Sequence, residues 1–121
     1  METVRIEIPL PPVTKKNHGR LVMAGGKPRL LPSAPFERYQ SAAGWFLRPL
    51  GIDRPVNLCC RFYMATRRKV DLVGLLQAVD DVLVHYGVIR DDNSRIVAGH
   101  DGSRVLYDKE RPRTEIEIVE V

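Results

Sequence analysis

Apolar side chains recur along residues 72–86 at helical spacing. Leu72, Leu75, Leu76, Val79, Val82, Leu83 and Tyr86 fall at i, i+3, i+4, i+7, i+10, i+11 and i+14. That is the stripe of an amphipathic helix and does not fit a strand. Asp71 stands where an N-cap belongs, and Gly87 stands just past the last turn, where left-handed backbone costs least. The helix therefore begins at one carboxylate and returns the chain to two more, Asp91 and Asp92. Its length, about 24 Å at roughly 1.5 Å per residue, keeps Asp71 and Asp91 apart if the chain runs straight on. They meet only if the segment after Gly87 folds back along the helix, or if a second chain supplies one of them.

Elsewhere the pattern alternates. Val4, Ile6 and Ile8 predict a half-buried strand over 2–8, stopped by Pro9, Pro11 and Pro12. Residues 21–23 and 29–31 flank Gly25-Gly26, the signature of a tight hairpin. Ser33 and Pro35 mark a helix start. Phe36, Tyr39, Ala43, Phe46, Leu47 and Leu50 carry that helix over 34–48, until Pro49 and Gly51 break it. Trp45 lies off the centre of the stripe and is expected half-buried at a sheet or dimer contact. Residues 56–65, rich in β-branched, aromatic and aliphatic side chains, read as a central strand. Short strands are expected over 94–99 and 103–107, about a turn at Asp101-Gly102, and a last alternating strand contains Thr114, Ile116 and Ile118. Strands and helices interleave irregularly. The expected fold class is α+β, a mixed β-sheet with two main helices, in one domain over residues 1–121.

Composition adds a partner. Of 121 residues, 19 are Lys or Arg and 15 Asp or Glu, a net charge of +4. The excess is modest, but the cations cluster at Lys15-Lys16, at Lys27 with Arg29, and at Arg67-Arg68-Lys69. That distribution favours an anionic partner. The loop Thr14-Lys15-Lys16-Asn17-His18-Gly19-Arg20 reads either as a solvated turn or as a contact to a phosphate backbone. Oxygen-rich clusters such as Asp71 with Asp91 and Asp92 suit Mg²⁺ or Mn²⁺, and neighbouring cations suit a phosphate substrate. Asp71 as a simple cap, Asp91-Asp92-Asn93 as a polar turn, and Asp80-Asp81 as a solvated helix face are the plainer readings. Adjacent Cys59 and Cys60 point to opposite faces of a strand, which disfavours a mutual disulfide. Their spacing gives no zinc motif, so they read as packed thiols of a cytosolic protein. No apolar stretch long enough to span a membrane or serve as a secretion signal is visible.

Three stretches, in order, resemble the RusA family of Holliday-junction resolvases. They are Ile8-Pro9-Leu10-Pro11-Pro12-Val13-Thr14-Lys15-Lys16-Asn17, the run from Arg67-Arg68-Lys69-Val70-Asp71-Leu72 to Val82-Leu83, and Gly87-Val88-Ile89-Arg90-Asp91-Asp92-Asn93-Ser94-Arg95-Ile96-Val97. The resemblance implies a homodimeric, Mg²⁺-dependent endodeoxyribonuclease, with Mn²⁺ as a substitute, resolving four-way junctions by paired symmetric nicks. It implies action in the cytoplasm of a bacterium or phage-infected host. It further implies that Asp71, Asp91 and Asp92 are catalytic, and that these three with Asp81 hold the metal. Lys15, Lys16, Asn17, Arg20, Arg67, Arg68 and Lys69 would hold DNA. The chain departs from the family at Val73, where an aspartate is expected, at Gly74, where asparagine is expected, and at Gln77, where a charged residue is expected. Asp101, in a segment resembling a phage and Gram-positive branch, is the carboxylate expected to compensate. The departures also suggest an alternative, a catalytically weak or inactive branched-DNA-binding protein of the same fold.

Overall fold

The computed structural model describes residues 2–15, 20–31 and 33–121. Strand β1 is Val4–Ile8, followed by the hairpin strands β2 (Arg20–Ala24) and β3 (Lys27–Leu31). Helix α1 spans Ala34–Ala43 and runs into a 3-10 turn, Gly44–Phe46. Strand β4 (Val56–Met64) then leads to helix α2 (Leu72–His85). Strands β5 (Val97–Gly99), β6 (Arg104–Tyr107) and β7 (Arg113–Glu120) complete the order.

Among the described residues the fold is α+β, with two helices and a mixed five-stranded sheet. β7 lies between β1 and β4 and is antiparallel to both. β5 and β6 follow one another along the other edge of β4, both parallel to it. The β2–β3 hairpin forms a separate two-stranded sheet. Its turn glycines have φ of 59° and 77°, the double positive φ that a two-residue turn of matching twist requires.

The helices cover one face of the sheet. Ile8, Leu58, Cys60, Phe62, Ile116 and Ile118 point into the core, where Leu75, Val79, Val82 and Leu83 of α2 meet them. Successive strand residues point to opposite sides, so the other face carries the polar partners. There Arg61 Nε lies 3.4 Å from Glu115 Oε1, Arg113 Nε 2.9 Å from Glu115 Oε2, and the Arg113 guanidinium stacks on the Tyr63 ring. Cys59 and Cys60 are free thiols on opposite sides of β4. Burial pushes the Cys60 thiol well above its ordinary range.

Three expectations shift. The helix read over 34–48 ends at Ala43 and tightens into the 3-10 turn, with Leu47 extended; at Gly44 a Cβ would stand 2.6 Å from the Tyr86 ring. The glycine at that position lets the end of α1 approach α2 closely. Trp45, expected half-buried at a sheet or dimer contact, is 88% exposed within the single chain. It sits in the 3-10 turn beyond the stripe that packs. The strand expected over 94–99 begins only at Val97, since Ile96 and Val97 donate backbone hydrogen bonds to the Asn93 carbonyl in a turn. Among the described residues no helix is long and apolar enough to cross a membrane.

Candidate metal and nucleic-acid site

Asp71 caps α2, its Oδ1 accepting the Val73 N–H at 3.2 Å. Asp81 lies ten residues on, about 15 Å further along the axis. Gly74 and Ala78 lie between them on the same side of the helix, at the spacing that brings residues into line. Gly74 is buried, and a Cβ there would stand 3.2 Å from Thr14 Cγ2. Glycine at this position therefore lets the segment after β1 pass close over α2. The next residue, Lys15, places its ammonium on Asp81 Oδ2.

The chain turns at Gly87. Gly87, with φ of 71°, ends α2 in a left-handed turn. Ile52 then donates to the Val88 carbonyl at 3.1 Å, and Arg90 donates to Ile52 at 2.9 Å. This short bridge between Ile52 and Ile89 carries the loop past the end of α2. Asp91 Oδ1 accepts the Asp92 N–H at 2.8 Å and Oδ2 accepts the Asn93 amide at 3.0 Å. These hydrogen bonds hold the Asp91 carboxyl below its ordinary range. Asp92 is pushed the other way, first by desolvation and then by the negative charges of Asp81 and Asp91. The fold thus brings Asp92 within electrostatic reach of both Asp81 and Asp91, while Asp71 stands at the other end of the helix.

The four carboxylates expected as one ligand set do not form one. Among the described residues no three Asp, Glu, His or Cys side chains stand where they could hold a metal ion. Asp101 belongs to the turn after β5, where its backbone N–H donates to Asn57 Oδ1 at 2.8 Å and its carbonyl accepts from Asn57 Nδ2 at 3.1 Å. Mg²⁺ takes one or two carboxylates and completes its shell with water and substrate phosphate. Besides Asp91, the carboxylate whose charge Asp92 feels is Asp81.

The cations are partly placed. Arg67, Arg68 and Lys69 lie exposed between β4 and α2. The Arg67 guanidinium carbon stands 4.1 Å from the centre of the Tyr107 ring. Lys16 and Asn17 lie outside the described residues, as does the Arg20 side chain. Val73, where the resemblance expects an aspartate, is 70% exposed at the start of α2.

Asp80 is buried, not part of a solvated helix face. His100 Nε2 lies 3.0 Å from each of its carboxylate oxygens. The signal was in the pattern, since Asp80 falls four residues after Leu76 and three before Leu83, inside the apolar arc. No protein-family model matches the chain, and no curated protein matches it in sequence.

Proposed function

We propose that this chain is a RusA-like endodeoxyribonuclease that acts as a homodimer on four-way DNA junctions, with Mg²⁺ and with Mn²⁺ as a substitute, in the cytoplasm of a bacterium or phage-infected host. The observation that carries the reading is the placement of Asp92, which follows Asp91 in the turn after α2 and there feels the charge of Asp81. Crowded negative charge of this kind favours a bound divalent cation. Asp81 and Asp92 would contribute carboxylate oxygens to the ion, with water and phosphate completing its shell. A bound Mg²⁺ polarises a phosphate and makes a coordinated water more acidic.

The remaining roles belong to the chain itself. Arg67, Arg68 and Lys69 neutralise backbone phosphates, which positions DNA without reading its sequence. Asp71 fixes the start of α2 next to that cationic run. Lys15 neutralises Asp81 in the absence of another cation. Two such faces related by a two-fold axis present paired sites to a symmetric junction.

A second reading, a junction-binding protein without nuclease activity, is favoured by the exposed Val73 and by the Lys15 ammonium on Asp81. Both readings are tested by mobility shifts of a labelled four-way junction against matched duplex over a range of salt. Both predict preference for the junction and an affinity that falls steeply with salt. Equal affinity for junction and duplex would sink both. Cleavage separates the two.

A further inference from the structure

Strand β1 is an edge. Among the described residues its strand neighbour is β7 alone, so its outer side leaves backbone N–H and C=O groups without a strand partner. Such an edge is a template for another strand unless something blunts it. Among the described residues no strand covers it. A groove opens between β1 and the segment after α1, lined by the apolar Val4, Ile6, Phe46 and Leu50 and by the charged Arg5, Glu7 and Arg48. Phe46 is 44% exposed and Leu50 46%. An open edge beside a groove of mixed apolar and charged side chains can accept a β-strand of matching pattern.

The sequence of β1 names the occupant. Val4-Arg5-Ile6-Glu7-Ile8 alternates apolar with charged residues, and its two charges are opposite in sign and symmetric about Ile6. Set antiparallel to itself about a two-fold axis at Ile6, the strand brings Arg5 of each copy opposite Glu7 of the other. Val4 meets Ile8 and Ile6 meets its own copy. Opposite charges directly across an antiparallel pair are favourable, and like charges are unfavourable. The apolar side chains of the added strand would lie on the helix side of the sheet, over Phe46 and Leu50. Within one chain Arg5 already reaches Glu117 at 3.3 Å and Glu7 accepts from Arg111 at 2.9 Å. Those contacts lie on the outer face and leave Arg5 77% exposed, so the ion pairs extend across the axis.

We infer that the β1 edge binds the β1 edge of a second copy of this chain, joining two five-stranded sheets into one continuous sheet about a two-fold axis at Ile6. This deepens the homodimer in the reading above and does not depend on DNA or metal. The test is sedimentation velocity on the full chain, with circular dichroism to check folding. Arg5→Glu alone, and Glu7→Arg alone, place like charges opposite one another twice. Each is expected to weaken association by about tenfold or more. The double variant Arg5→Glu/Glu7→Arg restores opposite charges and is expected to restore the dimer, and Phe46→Glu is expected to weaken it. A dimer indifferent to the single swaps, or one that the double swap does not rescue, overturns the β1 pairing and leaves the homodimer itself standing. A wild type that stays monomeric overturns both.

Discussion

His100 Nε2 lies 3.0 Å from both carboxylate oxygens of Asp80, joining the end of β5 to the buried side of α2. The hydrogen bond to Asp80 is the first cause that raises the His100 pKa, and partial burial opposes it. An unfolded histidine titrates near pH 6.5 (roughly). A raised folded-state value means that the stabilisation is fully present below that pH and is lost as pH rises through the folded value. The thermal midpoint of the wild type is therefore expected to fall as pH is raised from the unfolded histidine value into the alkaline range, and His100→Gln is expected to flatten that slope. His100→Ala leaves a buried carboxylate without this partner and is expected to cost about 1–3 kcal/mol. Denaturant melts across the pH range check both, and an unchanged slope in His100→Gln would refute the pairing.

Asp71 separates a structural role from a chemical one. Its Oδ1 caps α2 through the Val73 N–H, and losing such a cap costs about 1 kcal/mol. Asp71→Ala should therefore lose about that much in a urea melt, while Asp71→Asn, an equally good cap, should melt like wild type. If Asp71 also acts in nuclease chemistry, Asp71→Asn removes cleavage at unchanged stability. Cleavage that survives in Asp71→Asn would confine the residue to capping.

The stacking of Arg67 on Tyr107 predicts that the ring orients a phosphate-binding cation. Exposed cation–π contacts are worth about 0.5–1 kcal/mol. Tyr107→Ala is expected to weaken junction binding by roughly threefold, on the same scale. Arg67→Ala should weaken it and reduce the salt slope by about 1. The double variant should bind no more weakly than Arg67→Ala alone. Additive losses would mean that Tyr107 touches DNA independently.

Gly44 lets α1 end against α2. A Cβ there would meet the Tyr86 ring at 2.6–2.8 Å, and the Tyr86 hydroxyl donates to the Gln40 carbonyl at 2.6 Å. Gly44→Ala is expected to destabilise by about 1–3 kcal/mol through overpacking, and Gly44→Ala/Tyr86→Leu should recover part of that loss. A denaturant melt in which Gly44→Ala matches wild type would contradict this close approach.

These outcomes also mark what the chain reveals before it folds. The periodicity from Leu72 to Tyr86, the Asp71 cap and the Gly25-Gly26 turn are local signals, and each appears in the structure as read. The constraint on Gly44 is not local, because it comes from Tyr86, more than forty residues away. Trp45 looked packable because a stripe does not reveal where tertiary contact ends. Asp80 was the reverse case: its place in the apolar arc was visible, but its partner His100 was not. At the candidate site the carboxylates and cations were legible as residue types. Their grouping depended on where the Gly87 turn led, which is why Asp92 lies near Asp81 while Asp71 remains at the far end of α2.

Strand-resolved cleavage of an end-labelled synthetic four-way junction tests the central claim most directly. Wild type is compared with Asp92→Asn and Asp91→Asn, in Mg²⁺ and in Mn²⁺, with matched duplex as control. The account predicts paired nicks at symmetric positions on opposing strands, absent from duplex and lost in Asp92→Asn. Junction binding with no nick in either metal would contradict it and leave a protein that holds the junction without cutting it.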